Sequence, residues 1–356
     1  MRIALAGAFM LGAALGQHHE QPGPRYKVSD LGMVQQLASD LAPGLNSRGG
    51  AVVWRQNEAG TFSTVLWSGS EQKVLETPAG YSNSFAYSVN DSGNAVGWAN
   101  TTLNPVDSFS VMHAIMLTGH GSKDLGTLGG KWSRAYAINN GNVVVGVSEL
   151  ANNESRAFRY ADGKMSELAP LPGGESSIAF GLNDSGMIVG GSGVPHPASI
   201  RMVIHAVLWR DGAPLDLGAL RSNGSSLAYA VNSRNEVVGK VESAKGETAF
   251  LYSDGQMKDL QIEGGRAFGI NDRRQIVGSK QMGEERHPHF LGFLWDNGAF
   301  YDLNNCLPQG SGFTIQGAFR INNSGQIAAI GTFKNELHAL LLTPSSKPAS
   351  TSKKKK

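Results

Sequence analysis

One nine-residue pattern recurs seven times along this chain, and it limits the fold more than any other feature. It reads as strand, tight turn, strand: LNSRGGAVV from Leu45, VNDSGNAVG from Val89, INNGNVVVG from Ile138, LNDSGMIVG from Leu182, VNSRNEVVG from Val231, INDRRQIVG from Ile270 and INNSGQIAA from Ile321. The anchoring asparagines are Asn46, Asn90, Asn139, Asn183, Asn232, Asn271 and Asn322, spaced by 44, 49, 44, 49, 39 and 51 residues. A self-similar period of that length belongs to stacked or radial repeat architectures.

Each repeat contains four strand-like pieces. The first ends in the asparagine turn, as in FAYSVN (85–90) and LAYAVN (227–232), and the second follows it, as in NAVGW and EVVGK. A third, aromatic or aliphatic piece includes HAIML (113–117), HAVLW (205–209), TAFLY (248–252) and HALLL (338–342). The fourth ends in Asp-Leu or a relative, as in KDLG (123–126) and LDLG (215–218). Asp162-Gly163, Asp211-Gly212, Asp254-Gly255 and Asn297-Gly298 separate third from fourth. Asp-Gly and Asn-Gly at such places form hairpin turns, because both central residues need positive φ. The recurrent asparagine reads as turn chemistry: its side chain bonds its own backbone two residues on, and Gly93, Gly186 or Gly325 takes the left-handed position.

Four antiparallel strands per repeat, seven times over, predict an all-β fold: a seven-bladed β-propeller of four-stranded blades. Alanines such as Ala86, Ala135, Ala179 and Ala228 let neighbouring sheets approach closely. Residues 26–32 (YKVSDLG) are a fourth strand without the preceding three, and the repeats end after HALLL, a third strand without a fourth. The N-terminal strand is therefore expected to complete the last blade, closing the ring and removing exposed edges. The propeller spans residues 26–344, and residues 345–356 form a disordered, Lys-rich tail. The first repeat is degenerate: Pro43 and Gly44 interrupt its first strand, and residues 72–76 are its weak fourth.

Residues 1–16 read as a secretory signal peptide. Arg2 precedes an apolar stretch, IALAGAFMLGAAL, and Ala14-Leu15-Gly16 supplies small residues for cleavage before Gln17. The stretch is shorter than the roughly 20 residues of an ordinary span, so a secreted or periplasmic protein with no transmembrane segment after cleavage is expected. Residues 17–25 are a flexible lead-in. Without Arg2, Lys347 and Lys353–Lys356, 25 basic residues face 29 acidic ones. That body has no basic footprint for nucleic acid. The single cysteine, Cys306, excludes an intrachain disulfide and has no evident base partner in NNCLPQG.

The combination of HAxLW, DGxxxDLG, DLGTLGG and INxxGxVVG resembles the HAF-repeat family of bacterial extracellular repeat proteins, with residues 124–130 (DLGTLGG) the nearest single match and the likeness running over residues 26–343. The resemblance implies export and a β-repeat fold, and it brings no catalytic residues to transfer.

In this topology the asparagine and Asp-Gly turns share one face. The longer, unrepeated loops share the other, where binding residues tend to sit. Candidate ligand-binding residues there are Tyr81, Trp132, Arg134, Glu175, Arg221 and Arg266, suited by stacking and bidentate bonding to an anionic or sugar-like ligand. A second loop set holds Asp107, His196, Arg201, Glu284, Glu285, His287 and His289. Residues 283–290 (GEERHPHF) gather two histidines and two glutamates, but Pro288 extends the chain between His287 and His289, and a metal site needs three or four converging ligands. His113, His205 and His338 recur at one strand position, which argues for a packing or hydrogen-bonding role. No metal or cofactor is expected and no catalytic residue is assigned. The chain reads as a monomeric, non-enzymatic binding module for an unknown protein or cell-surface polymer. Two alternatives stay open: a propeller hydrolase or lyase acting on a polysaccharide or anionic substrate at the tunnel mouth, and a structural surface protein with no small ligand.

Overall fold

A computed structural model of the chain describes residues 23–34, 42–100, 111–195, 202–283 and 289–345. The expected signal segment (residues 1–16), most of the expected lead-in, the lysine tail, and Asp107, His196, Arg201, Glu284, Glu285 and His287 lie outside the described residues. Within them the regular structure is strand throughout, apart from one 3-10 turn at Leu303–Cys306. No helix among the described residues is long and apolar enough to cross a membrane.

The strands form four-stranded antiparallel stacks, called units here, over residues 44–74, 83–126, 129–167, 177–216, 226–263, 265–302 and 313–344. Unit 5 is typical: Ser226–Val231, Val237–Ser243, Gly246–Ser253 and Gln256–Glu263 pair in chain order. Units 2 and 3 merge into one eight-stranded sheet through a parallel bridge between Trp132 and Met112. Unit 7 contributes Phe313–Ile321, Ile327–Phe333 and Glu336–Pro344 from its own segment. Its fourth place is taken by Tyr26–Met33, antiparallel to Glu336–Pro344 from Tyr26↔Pro344 to Met33↔His338. This is the pairing expected from the unmatched fourth strand at residues 26–32.

The turns follow their local chemistry. Asp162, Asp211, Asp254 and Asn297 have φ of 50–54°, and each is followed by a glycine at 76–88°. In the asparagine turns the Oδ1 accepts from the backbone two and four residues on: Asn90 from Ser92 (3.1 Å) and Asn94 (3.0 Å), Asn271 from Arg273 and Gln275 (both 3.0 Å). The left-handed place holds Gly93 in unit 2 but Asn142, Asn235 and Arg274 in units 3, 5 and 6.

A β-bulge marks the first strand of units 2 to 7. Its pairing slips by one residue between Ala86 and Ser88, Ala135 and Ala137, Ala179 and Gly181, Ala228 and Ala230, Ala267 and Gly269, and Ala318 and Arg320. The bulge bends the strand against the glycine of the second one. A Cβ on Gly239 would fall 1.9 Å from the Leu227 carbonyl oxygen and 2.7 Å from the Phe250 ring. Gly146 stands in the same relation to Arg134 and Phe158, and Gly278 to Arg266 and Phe293. The third-strand phenylalanine thus fills the space a side chain would have taken.

The core lies between units rather than within them. One cluster packs Val189 and Leu208 of unit 4 on Ala228 and Phe250 of unit 5. Another packs Val238 and Leu251 on Ala267 and Phe293. A third sets Leu294 and Leu303 against Ile315 and Leu340. Leu31 and Ala339 of unit 7 join Val53, Trp54 and Val65 of unit 1. Phe158, Phe250 and Phe293 are fully buried, each contributing about 1.5–3 kcal/mol by leaving water.

Candidate functional site

The seven asparagines do more than close their own turns. Asn46 Nδ2 donates to the Asn90 carbonyl (3.0 Å), Asn90 to Asn139 (3.1 Å), Asn139 to Asn183 (3.2 Å) and Asn183 to Asn232 (2.9 Å). Asn232 donates to Asn271 (3.2 Å), Asn271 to Asn322 (3.0 Å) and Asn322 back to Asn46 (3.1 Å). Each side chain serves its own turn through Oδ1 and the next unit's turn through Nδ2. All seven are buried, where every satisfied polar group matters.

The residues after them form an outer rim. Ser47 Oγ donates to Asp91 (2.6 Å), Asn140 Nδ2 to Asp184 (2.9 Å), and Asn323 Nδ2 to Asp272 (2.6 Å). Burial opposes ionisation of Asp272, but hydrogen bonds from Ser233 and Asn323, with the charge of Arg234, outweigh it and hold the carboxyl below its ordinary range. The rim thus sets three carboxylates, Asp91, Asp184 and Asp272, among neutral side chains at the cavity edge.

Inside the rim lies a cavity of about 330 Å³, walled by the first-strand ends of the units. Two residues before each asparagine the wall carries a small side chain or none: Ser88, Ala137, Gly181, Ala230 and Gly269. Unit 7 breaks the pattern with Arg320. Its Nη1 donates to the Phe319 carbonyl at 3.0 Å. Among the described residues no carboxylate makes an ion pair with it, whereas Arg156, Arg234, Arg266 and Arg274 each have one. Solvent meets Arg320 through the cavity, so it is part-exposed by area yet surrounded by protein, and burial pushes its guanidinium down to about 10.

The bulges place an aromatic ring beside each wall residue. Tyr87, Tyr136, Phe180, Tyr229, Phe268 and Phe319 follow one another from unit 2 to unit 7, with successive ring centroids 5.4, 5.0, 5.4, 5.1 and 5.2 Å apart. Phe180 and Tyr229 reach the cavity itself. Burial raises the Tyr229 hydroxyl to about 12, so it stays protonated as a donor. Sequence reasoning missed both the arc and Arg320. Superposing the seven turns on their asparagines exposes them: FRIN carries a large cation where YSVN, YAIN, FGLN, YAVN and FGIN carry small residues.

Of the six loop-face candidates, Trp132, Arg134 and Arg266 lie in strands Gly129–Ile138 and Gly265–Ile270, and the side chains of Tyr81, Arg134, Arg221 and Arg266 make contacts within the protein. Tyr81 Oη donates to Asp124 (2.8 Å) and lies 2.9 Å from His113 Nδ1. Trp132 bridges to Met112, and Arg134 bonds the Met112 sulfur (3.1 Å) while its guanidinium stacks 5.2 Å over Trp98. These three meet the third strand of unit 2 or its neighbour. The Glu175 carbonyl accepts from Arg156, and Arg221 donates to the Ser243 carbonyl at 3.3 Å. Arg266 pairs with Glu247 at 2.5 Å, and Lys240 holds the other carboxylate oxygen at 2.7 Å. Against the cost of burial, those two cations hold Glu247 below its ordinary range.

The recurrent histidines have a shared partner. His113, His205 and His338 pair through Nδ1 with Asp124, Asp216 and Asp30 of the adjoining fourth strand, at 2.8, 2.9 and 3.0 Å. Arg156 with Glu167 (2.9 Å) and Thr248 with Asp259 (2.7 Å) fill the same place in units 3 and 5. The Asp-Leu signature is thus half of a cross-strand pair. Among the described residues no three His, Cys, Asp or Glu side chains gather closely enough to hold a metal.

No protein-family model and no curated protein matches the sequence. Solved structures do match. The acylaminoacyl peptidase of Pyrococcus horikoshii is 15% identical with a TM-score of 0.51, over 89% of this chain and 51% of that one. A puromycin-hydrolyzing peptidase of Mycobacterium tuberculosis is 11% identical with a TM-score of 0.52, over 86% of this chain and 51% of that one. The chain spans about half the length of these peptidases. YCF48, solved bound to a D1 peptide, is 11% identical with a TM-score of 0.51, over 93% of this chain and 98% of that one. At such identities the likeness speaks to fold alone, and with the repeated four-stranded antiparallel units it makes this chain a β-propeller.

Proposed function

We propose that the protein is an exported, seven-bladed propeller, closed by its N-terminal strand, that acts as a binding module and takes its ligand in the axial cavity on the asparagine-turn face. The observation that carries this reading is the cavity itself, about 330 Å³ of space walled by turns that hydrogen-bond to one another. Such walls are in place before a ligand arrives, so little ordering entropy is lost on binding. The volume lies at the small end of the ligand-site range of roughly 300–1,000 Å³. Closure is supported by the Asn322–Asn46 bond and by the Tyr26–Met33 pairing. Export is supported by Arg2 and the apolar run after it, and by the HAF-repeat resemblance, which implies the same.

The test uses protein beginning at Gln17, screened by thermal shift against amino acids, peptides and glycans. An Ala230→Trp variant fills the cavity from its wall. A ligand that raises the Tm of the parent and leaves that of the variant unmoved is the expected result. A ligand that stabilises both equally binds off the axis and overturns the reading.

A further inference from the structure

Arg320 is an anomaly in the wall of the axial cavity. Five equivalent wall positions carry glycine, alanine or serine, and this one carries a guanidinium. Its single protein hydrogen bond, to the neighbouring Phe319 carbonyl, leaves most of its donor fork free among the described residues. A cation enclosed by protein without a counter-ion is costly. An arginine in that state is poised for a planar oxyanion, since its fork matches a carboxylate with two parallel bonds.

The rim fixes the other end of the ligand. Asp91, Asp184 and Asp272 ring the same cavity at the level just beyond the asparagines. Arg320 lies at the end of strand Phe313–Ile321, three residues before Asn323 in the turn, so wall and rim are successive levels of one hairpin. Among the described residues no ion pair or hydrogen bond joins Arg320 to Asp91, Asp184 or Asp272, so wall and rim present separate charges to the cavity. An entering polyanion meets three carboxylates before it reaches one guanidinium. A ligand with a carboxylate at one end and a cation at the other satisfies both.

We propose that the axial cavity binds the carboxylate of a basic amino acid, with that carboxylate on Arg320 and the side-chain cation at the Asp91–Asp184–Asp272 rim. Lysine and arginine place the two charges at opposite ends of a flexible stem and fit a cavity of this size. The same chemistry arises from the free amino acid or from the C-terminal residue of a peptide whose preceding chain leaves through the mouth. The inference rests on the axial cavity being the ligand site.

Calorimetry on protein beginning at Gln17 tests it with lysine, hexanoate, cadaverine, and a tripeptide ending in lysine with either a free or an amidated C-terminus. Lysine or the free-acid tripeptide binds, and amidation or Arg320→Gln weakens binding at least about tenfold, the loss of one charge-assisted bond. Hexanoate, which lacks both ammonium groups, and cadaverine, which lacks the carboxylate, bind more weakly than lysine, and Asp272→Asn narrows the difference between lysine and hexanoate. A tripeptide tighter than lysine identifies a peptide terminus as the source, and equal or weaker binding identifies the free amino acid. Binding of none of these probes, an amidated tripeptide as tight as the free acid, or an Arg320→Gln protein of unchanged affinity overturns the proposal. Ala230→Trp separates the two levels: a ligand lost in that variant but kept in Arg320→Gln leaves the cavity as the site and removes the carboxylate assignment.

Discussion

Asn322 Nδ2 donates 3.1 Å to the carbonyl of Asn46, a residue 276 positions earlier in the chain. The bond joins the last asparagine turn to the first, and it has the same form as the six bonds between consecutive turns. The Oδ1 of the same side chain accepts from Gln326 N at 3.0 Å. One amide therefore holds a turn in shape and ties the two ends of the repeat array together.

These two roles separate in Asn322→Asp. The aspartate keeps an acceptor for the turn and loses the donor to Asn46. Leaving that buried carbonyl without its partner costs about 1–3 kcal/mol. A clear fall in the urea midpoint is expected. Asn152→Asp, in an exposed turn where only the acceptor is used, is expected to leave it unchanged. Equal midpoints for Asn322→Asp and parent would mean that the bond contributes nothing to stability.

Gly239→Ala tests the close approach between bulged first strand and second strand. The added Cβ meets a backbone oxygen at 1.9 Å and a buried ring at 2.7 Å, and neither is the free end of a flexible side chain. A loss of about 3 kcal/mol or more is expected, at or beyond the upper end of ordinary overpacking. Gly119→Ala is the comparison: its Cβ meets only the Lys73 Nζ at 3.3 Å, and it is expected to cost little. Differential scanning calorimetry of the two variants makes the measurement.

The repeat architecture was legible because its parts are local. Asp-Gly turns need positive φ wherever they occur, and Asp162, Asp211 and Asp254 have it. The unmatched strand at residues 26–32 pointed to the unmatched HALLL strand because an open edge is unfavourable. The candidate site was not legible for a physical reason. Alternation along FAYSV or FRI assigns faces by counting in twos, and the bulge inserts one residue that reverses the count. Tyr229 and Arg320 therefore reach the cavity although the simple pattern does not put them there. The asparagines read as turn formers because that role is local, whereas their bonds to the next unit cross 39 to 51 residues. Sequence reads Tyr81, Arg134 and Arg266 as loop-face residues, whereas Arg134 and Arg266 lie in strands Gly129–Ile138 and Gly265–Ile270, and it does not show the Asp124, Trp98 and Glu247 that they contact.

Asp124 gives the pH dependence of the outer strands. Burial favours its neutral form, but hydrogen bonds from His113, the Gly126 amide and Tyr81 outweigh that, and its pKa in the folded protein lies below the ordinary carboxylate range. A depressed carboxylate contributes stability in full above its unfolded value of about 3.9, and that contribution is lost as pH falls through the lower folded value. Urea midpoints recorded between pH 6 and pH 2 are expected to fall less steeply for Asp124→Asn than for the parent. Parallel profiles would show that the pair with His113 has no part in acid stability.

Cys306 carries the opposite sign. It closes the 3-10 turn of unit 6 with its thiol 3.4 Å from the Asp302 carbonyl, buried at 3% exposure. Burial first, and the charge of Asp302 second, push the thiol up to about 11. A thiol in the unfolded chain ionises near 8.5, so the folded state loses relative stability as pH rises from there toward 11. At pH 8 on the order of one native thiol in a thousand is ionised, and the thiolate is the reactive form. A thiol reagent is therefore expected to label the native protein only as fast as the junction of units 6 and 7 opens, and to label the urea-unfolded chain at once. Labelling rates that follow urea concentration would make Cys306 a reporter of that junction. Raising the pH from 7 to 10 should lower the urea midpoint of the parent more than that of Cys306→Ala, and an equal fall in both would assign the alkaline loss to other groups.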